Sequence, residues 1–172
     1  MGANEVTTAR ASFVLFFTLV LQTTLFADLA VFGVRADVVL LFAIAAGIVG
    51  GPDRGAMAGF AAGLGYDLLV VGTPVGLYAL AYCITGFVVG TLQGGVLRAS
   101  WWIPVASAMG ASVLGVVLFA VIGTVLGQEG YFEARLLQIA AVVAIINGAL
   151  VLPALRIARW AVPAERHTRL AL

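Results

Sequence analysis

The sequence predicts an all-α integral membrane protein, a bundle of six transmembrane helices formed by one polytopic domain over residues 1–172. Three observations carry that expectation. The 172 residues are 63% hydrophobic and only 10% charged, against roughly 45–50% apolar and about 25% charged in a soluble domain. Mean hydropathy is +1.14, and a soluble fold of this size buries only about 70% of the surface its unfolded chain exposes. Long apolar runs also recur along the whole chain, separated by short polar or Gly/Pro links.

The first span is expected over residues 11–32, after a polar tail with Glu5 and Arg10. It resembles a signal peptide in outline, but it lacks a small-x-small cleavage site and leads directly into further spans, so it reads as a retained helix. The second span, 37–51, closes on Gly51-Pro52-Asp53-Arg54, and the third, 55–71, on Gly72-Thr73-Pro74. These are turn residues, and Pro74 also suits the first turn of a fourth span over 74–92. A fifth span, 101–126, opens on the interfacial pair Trp101-Trp102. The last covers 136–157, with Trp160 just beyond it. The second and third spans are short, since 15 residues rise only about 22 Å against a hydrocarbon core about 30 Å thick.

All nine basic residues are arginine, and their distribution sets an orientation. With six spans, seven (Arg10, Arg54, Arg98, Arg156, Arg159, Arg166, Arg169) share one side and two (Arg35, Arg135) lie opposite. Merging the second and third spans scatters this bias. The excess of arginine marks the cytoplasmic side, so both termini are expected there, in a bacterial cytoplasmic membrane. The outer side then carries Asp28, Asp37, Asp67, Glu129 and Glu133, and the inner side Glu5, Asp53 and Glu165.

Gly47, Gly51, Gly55, Gly59 and Gly63 recur every four residues, and Gly86, Gly90 and Gly94 repeat the spacing. Lipid offers no hydrophobic drive for helix association, so small residues on one face mark close packing. They are expected to form a helix-packing face or a surface for a partner's helix. The outlying group is Asp67, about 18 Å above the start of its helix and in the outer half of the membrane. An ionised Asp in lipid costs about 2.5–3.5 kcal/mol even on lenient scales, so protein or water must surround it. A bond to Arg35, a tyrosine or free backbone is one expectation. A polar, outward-facing pocket of Gln22, Asp37, Asp67, Tyr78 and Tyr82 is the other. Asp37 has a further role available, as the N-cap of the second helix.

Signals for catalysis are missing. The single histidine, His167, lies in the C-terminal tail, and Ser12, Ser100, Ser107 and Ser112 have no base near them in sequence. No Walker loop, CxxC or zinc spacing occurs. The lone Cys83 sits in an apolar run and reads as a packed hydrophobe. A net charge of +1 gives no field for nucleic acid. No enzyme activity, catalytic residue, metal or cofactor is expected.

Residues 20–90 carry an ordered set of short motifs. Leu21-Gln22-Thr23-Thr24-Leu25 closes the first helix, and Arg35-Ala36-Asp37 leads into the apolar run 38–42. Gly59-Phe60, Gly63 and Asp67 follow, then Gly76-Leu77, Ala79-Leu80, Tyr82, Gly86 and Gly90. In order and spacing this pattern resembles the rod-shape-determining membrane protein family MreD, although Ala36-Asp37 stands where that family commonly has Pro-Asp. The resemblance implies a non-enzymatic scaffold subunit of the bacterial elongation machinery. It would bind MreC and, through it, reach MreB, RodA and the elongation transpeptidase, within the membrane lipid. It also implies a fold like the substrate-binding subunits of energy-coupling-factor transporters, with Gln22, Asp37 and Asp67 converging on an outward pocket. A vitamin-binding subunit of such a transporter is the alternative. Those subunits usually carry an Ala-x-x-x-Ala pair on the first helix, which residues 11–32 lack.

Overall fold

The structure, a computed structural model, describes residues 3–28, 30–93, 102–128 and 135–161. Gly94, Arg98, Trp101, Glu129, Glu133, Glu165, Arg166, His167 and Arg169 lie outside them. Five helices make up the described chain: α1 (Ala3–Asp28), α2 (Val38–Asp67), α3 (Leu77–Gln93), α4 (Trp102–Val125) and α5 (Arg135–Ala161). Four of them, α1, α2, α4 and α5, are long and apolar enough to cross a membrane, and α3 is a shorter apolar helix. The chain is an all-helical, multi-pass membrane protein.

The first helix stops before the expected residue 32. Ala30–Val31 (β1) pairs antiparallel with Val34–Arg35 (β2). Phe32 and Gly33 between them have φ of 53° and 75°, as the two central residues of a type I′ hairpin turn require. This small hairpin caps one end of the bundle. Its tip is braced by Gln138 of α5, whose Nε2 donates to the Phe32 carbonyl at 3.1 Å.

The expected second and third spans form one assigned helix, α2, broken at Gly51. With φ 80° and ψ −176°, Gly51 occupies a region open essentially to glycine alone. Pro52 then starts the next turn, where its missing N–H is no loss. The break is a reversal. A Cβ added to Gly55 would lie 2.7 Å from the Cα of Gly47, whereas eight residues of straight helix separate two positions by about 12 Å. Residues 38–50 and 52–67 therefore fold back on each other. The four-residue glycine series is divided between these two segments. It is two faces meeting across the bend.

Residues 52–67 run antiparallel to α3 with their backbones in contact. Added Cβ atoms at Gly55, Gly59 and Gly63 would meet Gly86 O at 2.3 Å, Tyr82 O at 2.3 Å and the Ala79 Cα at 2.5 Å. At the far end Gly90 would meet Pro52 N at 2.4 Å. A Cβ added to Gly47 would meet the same Gly86 O, at 2.5 Å. Three helical segments thus converge on Gly47, Gly55 and Gly86, and the glycines are filled by the protein's own chain. The half that runs from Val39 to Ala46 is buried on every side, the pattern of a central helix. By contrast, Phe13, Phe16 and Phe17 of α1 are exposed and suit contact with lipid.

The last two helices pair through a buried hydrogen bond, Asn147 Nδ2 to Ser112 Oγ at 2.9 Å. Such bonds hold helices together in lipid. The start of α1 and the end of α5 lie together, with the Arg10 guanidinium 5.1 Å from the Trp160 ring centroid.

Candidate hairpin-end cavity

The hairpin end of the bundle encloses a cavity of about 600 Å³, within the usual range for small-molecule sites. Each helix contributes to its wall. Gln22 comes from α1, Leu40 and Tyr66 from the two halves of α2, Tyr78 and Tyr82 from α3, Phe119 from α4, and Arg135 and Ile139 from α5. Residues 33–37 of the hairpin and the following turn also line it.

Gln22 is fixed by both ends of its amide. Its Nε2 donates to the Ala36 carbonyl and its Oε1 accepts from the Val38 N–H, each at 2.9 Å. Those two bonds assign the amide's orientation and clamp the turn that carries Asp37. Asp37 caps α2: its Oδ1 accepts from the Leu40 N–H at 2.8 Å, and its carbonyl begins the helical ladder. The Tyr82 hydroxyl donates to its other oxygen. An aromatic wall stands beside them. Tyr78 meets Tyr66 at 4.8 Å, Tyr82 at 5.5 Å and Phe119 at 4.4 Å between ring centroids.

The four expected residues Gln22, Asp37, Tyr78 and Tyr82 are brought together here. Asp67 is not among the lining residues, which corrects the expected pocket. It lies at the C-terminal end of α2, 2% exposed, and its carboxylate caps α3 from outside that helix. Oδ2 accepts from the Gly76 and Ala79 N–H groups at 2.9 and 3.0 Å, and Oδ1 from the Tyr78 N–H at 3.1 Å. These are donors that a helix start leaves unsatisfied, and the positive end of the helix dipole favours a carboxylate there. Asp67 thus bonds free backbone and not Arg35. The same requirement moves the start of α3 from the expected Pro74 to Leu77, because Gly76 occupies the cap.

Arg35, Tyr66, Phe119 and Arg135 complete the cavity, and the sequence-based pocket omits them. Two of them carry a signal in the sequence: Arg35 and Arg135 are the pair of arginines set apart from the other seven. Gly47, Gly51, Gly55, Gly59, Gly63, Gly86 and Gly90 lie outside the lining. Among the described residues no group of three or more His, Cys, Asp or Glu side chains clusters as a metal site. The wall can hydrogen-bond and stack on a ligand. Set against family models, curated proteins and solved structures, the chain matches none of them.

Proposed function

We propose that the protein is a scaffold subunit of the bacterial elongation machinery, similar to MreD. In this reading it binds an MreC-like single-span partner in the cytoplasmic membrane and helps couple the MreB filament to peptidoglycan synthesis through RodA and the elongation transpeptidase. One observation supports it above others: the residues that carry the resemblance act on the architecture. Gln22 clamps the turn before α2, Asp37 and Asp67 cap α2 and α3, and Gly59, Gly63, Gly86 and Gly90 let helical backbones touch. A chain whose distinctive polar groups hold its own helix ends together is built to present a fixed surface. It does no chemistry of its own in this reading.

Six crossings with both termini cytoplasmic belong to the same proposal. The Arg10–Trp160 contact, which brings the start of α1 and the end of α5 together, supports an even number of crossings. The reversal at Gly51 supplies the sixth by making α2 cross twice. Depletion of the protein from a rod-shaped host tests the role. The expected outcome is rounded cells with reduced sidewall peptidoglycan insertion, and rods of normal width would contradict it.

A second reading, a solute-binding subunit of an energy-coupling-factor-type transporter, is favoured by the cavity itself. Its signature is purification with an ATPase pair and a coupling protein.

A further inference from the structure

The cavity has a charge arrangement that neither role explains. Of its lining residues, Asp37 is the only carboxylate, and both its oxygens are engaged, one by the Leu40 N–H and one by the Tyr82 O–H. The Gln22 amide is likewise engaged at both ends. Arg35 and Arg135 are the charged donors left on the wall. Both are exposed, and among the described residues neither guanidinium has a hydrogen-bond or ion-pair partner. They approach from different elements: Arg35 is on β2, and the Arg135 Nη2 stands 3.2 Å from a Cβ added to Gly33, two residues before Arg35. Two cations at one mouth repel unless an anion lies between them. A guanidinium fork matches a phosphate or carboxylate, with which its bonds are short and charge-assisted. Beside the tyrosines, the wall also presents an apolar side made of Leu40, Val116, Phe119, Ile139 and Val143.

We propose that this cavity binds an anionic amphiphile, its phosphate or carboxylate head held between Arg35 and Arg135 and its apolar body against Phe119, Ile139 and Val143. The inference goes beyond the assembly role and stands on the cavity alone. The anion comes from a membrane lipid or from solution, and the chemistry at the arginines is the same in both cases.

The test is ligand retention by the full chain, purified in uncharged detergent and analysed by native mass spectrometry. The probes are dioleoyl phosphatidylglycerol, dioleoyl phosphatidylcholine with the same chains, and inorganic phosphate. Wild type should retain phosphatidylglycerol over phosphatidylcholine. The double variant R35Q/R135Q should lose about tenfold or more of that affinity, which is about 1.4 kcal/mol or more. R159Q, at the other end of the bundle, should bind as wild type does. The ligand-free melting temperature of each variant checks that the fold is intact. Retention of phosphatidylglycerol alone supports a lipid as the source, and protection by inorganic phosphate as well supports an anion drawn from solution. Equal retention of both lipids by wild type overturns the proposal, as does unchanged retention by R35Q/R135Q.

Discussion

Replacing Asp67 separates a structural carboxylate from a ligand-facing one. Its two oxygens accept three backbone N–H bonds at the start of α3, and the side chain is buried. A buried donor left without a partner costs about 1–3 kcal/mol. Asp67→Leu orphans all three, and because the Gly76 and Tyr78 bonds are only part-buried and the Ala79 bond is buried, the cost is roughly 3–5 kcal/mol, against a typical total stability of about 5–15 kcal/mol. Asp67→Asn keeps one acceptor oxygen but turns an amide N–H₂ toward the remaining donor, so it costs about 1–3 kcal/mol. For a chain of this length 1 kcal/mol moves the melting temperature by about 2–4 °C, so Asn lowers it by roughly 2–12 °C. The assay is thermal unfolding in detergent together with protein level in the membrane. The expected order is wild type, then Asn, then Leu, with Leu barely accumulating. A Leu variant that melts within about 2 °C of wild type would refute the capping role.

Two further perturbations address the packing and the reversal. Gly55→Ala drives a Cβ to 2.3 Å from Gly86 O and should destabilise by about 1–3 kcal/mol, whereas Gly110→Ala meets nothing within 4 Å and should leave the melting temperature level or slightly raised. Equal effects at the two glycines would show that the α2–α3 backbones are not in contact. In a Cys83→Ala background, single cysteines at Phe32 (81% exposed) and Val71 (99% exposed) should react with an impermeant thiol reagent from the same side of the membrane. Labelling from opposite sides would mean that α2 crosses only once.

Much of this fold is legible in the sequence because lipid makes burial nearly a matter of composition. The apolar runs mark the helices, with α4 within one residue of its expected bounds at either end. The reversal is legible as Gly51-Pro52, a residue that tolerates positive φ followed by one that starts a helix. The hairpin at 30–35 is not, since two-residue strands are too short for a period and Ala-Val-Phe-Gly continues the apolar run of α1. Asp67 is half legible. Its need for partners follows from its surroundings, but its targets at Gly76, Tyr78 and Ala79 depend on how the 68–76 connection folds back. In the cavity, Gln22, Asp37, Tyr78 and Tyr82 follow from depth along their helices. Arg135 does not, because a hundred residues of chain separate it from Arg35 and only the packing of α5 on the hairpin joins them.

The assembly role rests on what the protein holds in the membrane. Affinity capture of the tagged full-length protein from gently solubilised native membranes, read by mass spectrometry, asks that question directly. The expected result is recovery of a single-span protein with an extracytoplasmic domain of the MreC kind, together with elongation synthases. Recovery of an ATPase pair and its coupling protein without that partner would contradict it.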